Sequence, residues 1–164
     1  KFNAQVYAFE PSYKNLDLMI RNIKLNSLQN NITVVSNPLT KKYLFSNFYQ
    51  NNFIAGQAQA SFGNKIAELE KTKTKTQVSY RTLGLSIDNM LEQKLLEIPM
   101  LIKIDVDGNE VEIIQGCQKL LQVISKGTLL VEIRKETQDT IHDELSKFGF
   151  KKIKQVKDNT IWEK

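Results

Sequence analysis

The 164-residue sequence holds a single cysteine, Cys117, and a single histidine, His142. One cysteine excludes an intrachain disulfide framework and a cysteine metal cluster, and it suits a reducing cytoplasm. No apolar run approaches the roughly 20 residues of a membrane-spanning helix. The opening KFNAQVYAFE does not read as a signal peptide, because no long apolar core is followed by small residues. A Gly-rich dinucleotide fingerprint is also missing. Charge of one sign does not dominate: 23 Lys and Arg against 18 Asp and Glu leave +5. The lysine groups at Lys71–Lys75 and Lys151–Lys154 read as solvated faces. Attraction to an anionic substrate is the alternative, but no nucleic-acid module supports a nucleic-acid partner. His142, beside Asp143 and Glu144, reads as a surface residue, and Cys117 as a small buried hydrophobe. What remains is an ordinary globular composition, 41% hydrophobic and 25% charged, in one domain over residues 1–164 that is long enough to bury a core.

The order of elements predicts an α/β fold. Ala4–Phe9 is a short apolar strand stopped by Glu10 and Pro11. Ser12 can cap a helix in which Leu16, Met19, Ile20 and Ile23 recur at helical spacing up to about Asn26. Ile32–Val35 is a second strand. From about 36 to 80 the chain becomes a polar insertion rich in Asn, Gln, Thr and Lys. Strands are hinted at by Tyr43, Phe45 and Phe48 and by Val78, Tyr80 and Thr82, and KTKTKTQ reads as a solvated turn. Ser86 then begins a short helix carrying Ile87, Met90, Leu91, Leu95 and Leu96. Met100–Ile104 is a strand ended by Asp105, and Gly108–Leu121 is a helix. Thr128–Ile133 is a strand, and Thr137–Phe148 a helix stopped by Gly149. Phe150–Val156 and Thr160–Trp162 close the chain as a hairpin. Such alternation predicts a mostly parallel sheet flanked by helices, with an antiparallel edge hairpin at the C-terminus.

Three apolar strands end in carboxylates: Glu10, Asp105 and Glu132. In a parallel sheet those ends share one edge, where open α/β sheets bind ligands. A carboxylate after a strand accepts two hydrogen bonds from a vicinal diol, so Glu10 is a candidate for ribose; the alternative is a solvated strand end. Asp105 is either a site residue or a cap for the helix beginning near Gly108. Glu132 interrupts an apolar run, and is either a site acid or a partner of Arg134 or Lys135. Asp107, Asn109, Glu110 and Glu112 suit the positive end of a helix without further function. A hard cation held by Asp105, Asp107 and Glu132 is a weaker reading than a metal-free site.

VYAFEPSYKNLDLMIRNIKLN, TLGLSIDNML, PMLIKIDVDGNEVEIIQG and LLVEI, taken in this order, closely resemble the FkbM family of S-adenosylmethionine (SAM)-dependent methyltransferases. The resemblance covers nearly the whole chain. It implies a Rossmann-like class I methyltransferase fold, SAM as methyl donor, and O-methylation of a hydroxyl on a sugar, glycan or secondary metabolite. Carried over by position, it implies Glu10 on the SAM ribose with Pro11 and Asn37 beside the cofactor. Asp105 would face the methionine end or the acceptor, and Gly108 and Glu110 match the helix start of the same block; from position alone, Asp105 or Glu132 is expected to be the acid nearest the acceptor, with Asp107 and Glu110 on the substrate side. Asp107 stands where the family usually has Glu, Asn109 where Ala is usual, and Pro38 where a small residue is common. The family also opens with a strand and an Asp-x-Gly-Ala-Asn-like loop, about 30 residues as a strand–helix pair, that nothing before Lys1 supplies. This first strand and its motif are therefore expected to be absent, leaving a slot between the strands of Glu10 and Asp105. Two other readings remain open at this stage: a nicotinamide-dependent oxidoreductase, since an acid ending a strand also binds NAD ribose, and an inactive nucleotide-binding module.

Overall fold

A computed structural model describes residues 4–50, 54–56, 60–63 and 78–164. The KTKTKTQ run lies outside them. The described chain falls into two compact units: Lys1–Pro38 with Leu44–Gly84, here unit 1, and Leu39–Tyr43 with Leu85–Lys164, unit 2.

Unit 1 opens with β1 (Val6–Phe9), α1 (Tyr13–Leu25) and β2 (Ile32–Val35). Pro11 ends β1, and Ser12 sits at the N-cap of α1, its hydroxyl a long 3.5 Å from the Asn15 N–H. The helix closes with two backbone bonds, Ser27 N–H to Lys24 C=O and Leu28 N–H to Ile23 C=O. These place Ser27 in the left-handed region at φ 56°, where glycine is more usual. β1 and β2 run parallel, from Val6 opposite Ile32 to Phe9 opposite Val35. The insertion forms its own antiparallel sheet of β3 (Leu44–Gln50), β4 (Ala60–Phe62) and β5 (Val78–Gly84), in the order β4-β3-β5.

Unit 2 contains α2 (Ile87–Glu92), β6 (Leu101–Ile104), α3 (Glu110–Gln115), α4 (Gln118–Val123), β7 (Thr128–Glu132), α5 (Gln138–Lys147), β8 (Lys151–Val156) and β9 (Asn159–Glu163). Its sheet order is β6-β7-β9-β8: β6 and β7 are parallel, and the closing hairpin joins antiparallel through β9. The outer strand β8 is exposed along its whole length and carries Lys151, Lys152 and Lys154. Charge of this kind discourages pairing with another chain. The core gathers Ile114, Leu121, Leu129, Val131, Ile141, Leu145, Phe150 and Trp162.

Two expectations change. Parallel pairing accounts for only two of the six strand pairings among the described residues, β1–β2 and β6–β7, because the insertion and the hairpin are both antiparallel. The helix expected from Gly108 to Leu121 is two short helices broken at Gly116 and Cys117. At Gly116 a Cβ would lie 2.3 Å from the Thr40 carbonyl oxygen. The Gly116 carbonyl leaves the helix to accept from the Asp88 N–H at 2.9 Å and the Ser86 hydroxyl at 3.1 Å. Asp88 then restarts the chain, its carboxylate accepting from the N–H groups of Lys119 (2.9 Å) and Leu120 (3.0 Å) at the start of α4.

Among the described residues the β1–β2 pair has no further strand on either edge, and the β6–β7 pair lacks one on the β6 edge. β1 is flanked only by β2, with Val6 and Tyr7 exposed. β6 is flanked only by β7, with Leu101 68% exposed despite its apolar sequence.

Candidate functional site

In unit 1 the carboxyl ends of β1 and β2 coincide, and the Glu10 N–H continues the ladder to the Val35 carbonyl at 3.0 Å. Glu10, Pro11 and the Ser36–Pro38 stretch therefore leave from one rim. The Ser12 N–H donates to Glu10 Oε1 at 2.8 Å, and the Asn15 side chain also bonds the carboxylate. Burial pushes the Glu10 pKa above the ordinary glutamate value, while these two hydrogen bonds pull the other way. A carboxylate offers about four acceptor positions, so two donors leave room for a diol. Asn37 lies past the end of β2, its amide donating to the Leu83 carbonyl at 2.8 Å.

The residues following Glu10 are held by groups that the sequence reading did not select. The Tyr80 hydroxyl donates to the Pro11 carbonyl. Gln50 Nε2 donates to the Ser12 hydroxyl at 2.7 Å, with Gln50 2% exposed and Ser12 fully buried. Tyr80 stacks on Tyr13 with ring centroids 4.5 Å apart, and meets Phe48 at 5.3 Å. Burial, with Tyr13 and Glu10 adding to it, pushes the Tyr80 phenol well above its usual range, so it remains a donor. No local pattern marks these contacts, which join residues 38 and 69 positions apart. The buried oxygen of Gln50 has no partner among the described residues, a cost of about 1–3 kcal/mol.

In unit 2, β6 and β7 end together, with Ile104 opposite Val131. Asp105 and Glu132 follow side by side, and their carboxyl groups share a hydrogen bond. Lys103 Nζ lies 2.6 Å from Asp105 Oδ2 and is the main cause holding the Asp105 pKa below its ordinary value. The Glu132 pKa is raised, by burial first, then by the charge and hydrogen bond of Asp105, then by Glu110 and Asp107. The two carboxyls titrate as a pair, with Asp105 the ionised member and Glu132 the one that keeps its proton longer. Glu132 thus pairs with Asp105, while Arg134 approaches Asp107 at 3.7 Å. Asp105 bonds Lys103 rather than capping α3, whose N-cap is Asn109. Glu110 is fully buried, and its Oε1 accepts from the Gly108 N–H at 3.0 Å, bracing the turn where Gly108 adopts φ 98°. Among the described residues no group of three or more His, Cys, Asp and Glu is arranged to hold a metal ion.

His142 is half-exposed, 3.6 Å from Asp143 and edge-on to the Trp162 ring at 5.5 Å. Cys117 is buried, and burial with the nearby Asp88 charge raises its pKa. Among the described residues no helix is long and apolar enough to cross a membrane.

In unit 1 a parallel pair ends in an acid, and in unit 2 a parallel pair ends in two hydrogen-bonded carboxyls, the kind of strand end at which open α/β sheets bind ligands. The sequence profile of the methyltransferase FkbM domain matches residues 3–152, and the chain belongs to that family. Its structure is similar to that of a methyltransferase FkbM from Methylobacillus flagellatus KT, with a TM-score of 0.62 and 13% identity over all of this chain. The chain spans 37% of the length of that protein. No curated protein matches.

Proposed function

We propose that this chain serves SAM-dependent O-methylation of a hydroxyl on a sugar, glycan or secondary metabolite. Family membership supports methyl transfer. The observation that carries the finer reading is the Asp105–Glu132 pair, in which Lys103 keeps one carboxylate ionised at a strand end. A hydroxyl is a poor nucleophile until a base takes its proton. Asp105 accepts that proton from the acceptor as the new carbon–oxygen bond forms. Glu132, the carboxyl of the pair that holds its proton more tightly, shares a hydrogen bond with Asp105. Glu10 binds the cofactor's ribose hydroxyls through the acceptor positions that Ser12 and Asn15 leave free. Bound SAM supplies a methyl group on a positively charged sulfur, which leaves as a neutral thioether. One buried cysteine supports placement in the cytoplasm.

Calorimetry of the full chain with SAM, S-adenosylhomocysteine and NAD tests this reading. S-adenosylhomocysteine should bind, NAD should not, and Glu10→Gln should weaken S-adenosylhomocysteine binding roughly 10- to 100-fold, the equivalent of charge-assisted bonds of about 1.5–3 kcal/mol. Binding of NAD in its place, or unchanged affinity in Glu10→Gln, would falsify it.

A further inference from the structure

We propose that Gln50 and Tyr80 are positioning residues for the Glu10 carboxylate, so that the insertion sheet β3–β5 sets how well unit 1 distinguishes a vicinal diol from a deoxygenated sugar. The inference rests on the ribose role of Glu10 proposed above.

Side chains two residues apart in a strand share a face, and residues directly opposite in neighbouring strands do too. Phe48 lies opposite Tyr80, and Gln50 follows Phe48 by two. Phe48, Gln50 and Tyr80 therefore line one face. That face bonds the two residues immediately after Glu10: Tyr80 at the Pro11 carbonyl, Gln50 at the Ser12 hydroxyl. Ser12 in turn donates its N–H to Glu10 at 2.8 Å. Apolar packing is a poor alternative anchor, because α1 buries only Ile23. A residue kept only for packing would also not leave a buried amide oxygen without a partner, as Gln50 does among the described residues. The amide could be turned end for end, but among the described residues one buried polar atom stays unpaired either way.

The test uses the full chain, S-adenosylhomocysteine and its 2′,3′-dideoxy analogue as probes, and Tyr80→Phe and Gln50→Met as variants. Tyr80→Phe keeps the stacked ring and removes only the donor. Each variant should weaken the ribose ligand roughly five- to tenfold and leave the dideoxy ligand within about twofold. Equal losses for both ligands would mean a general structural role and overturn the proposal. A second readout needs no ligand: the Glu10 carboxyl titration followed by NMR. In the wild type Glu10 should titrate above ordinary glutamate, and each variant should move it back toward the ordinary range as the loop loosens into water. A wild type that does not distinguish the two ligands defeats the ribose role alone, and the titration then decides the positioning role. An unchanged Glu10 titration in both variants overturns it.

Discussion

The two units place their acids by different means. Among the described residues, unit 1 buries only Ile23, Phe48 and Phe62 as apolar core, whereas unit 2 buries sixteen hydrophobic residues from Ile87 to Trp162. Glu10 is consequently held by polar contacts through Ser12, Asn15, Gln50 and Tyr80. Asp105 and Glu132 are held by the ends of adjacent strands over a packed core, and interact chiefly with each other and with Lys103. A carboxylate fixed by backbone and amide donors is suited to stationary recognition. Two carboxyls whose proton affinities are driven apart are suited to moving a proton. Binding and catalysis should therefore fail separately when the units are altered separately.

The largest expected effect lies in unit 2. Asp105→Asn keeps shape and removes the ionised base, and kcat/KM should fall about 10²–10⁴-fold. Thermal stability should change little, since the Asp105 side chain is 47% exposed. Steady-state kinetics beside a melting curve check both halves. Turnover at the wild-type level would remove Asp105 from the chemistry and erase the contrast between the units.

An effect of opposite kind is expected elsewhere in unit 2, at Asp88. Asp88 touches neither rim in this reading but caps α4 through two N–H groups. Asp88→Ala should cost about 1–2 kcal/mol of stability, roughly 3–8 °C in Tm for a domain of this size. The kcat of the folded fraction should stay near wild type. A large fall in kcat with an unchanged Tm would instead make Asp88 part of the site.

Asp88 also shows where the sequence stopped being legible. Its identity was visible within TLGLSIDNML, but its role depends on the helix break at Gly116, and that break depends on Thr40 lying against a position without a side chain. Periodicity through Val111, Ile114, Leu120 and Leu121 gives no warning, because Ile113 and Ile114 of one short helix and Leu120 and Leu121 of the other are all buried. The strands of unit 2, the α5 stop at Gly149 and the closing hairpin were readable, since each has a local cause. The three strand-end acids were readable for the same reason. Their partners were not: the Glu132–Asp105 bond crosses two strands, and Gln50 and Tyr80 reach Ser12 and Pro11 from a segment whose polar composition suggested only loops and stray strands.

The smallest expected effect concerns Lys103, and it tests whether the pair in unit 2 is tuned or merely adjacent. Lys103 favours the charged form of Asp105, so Lys103→Met should raise the Asp105 pKa. A base with a raised pKa becomes protonated sooner as pH falls. The acid limb of the kcat/KM profile should therefore move to higher pH in the variant, with the alkaline side unchanged. Lys103 and Asp105 are 56% and 47% exposed, so solvent and salt screen the interaction and the shift should be small. High salt should move the wild-type limb in the same direction and narrow its gap to the variant. An acid limb that stays in place, or moves to lower pH, would show that Lys103 does not keep Asp105 ionised, and the division of labour between Asp105 and Glu132 would lose its physical cause.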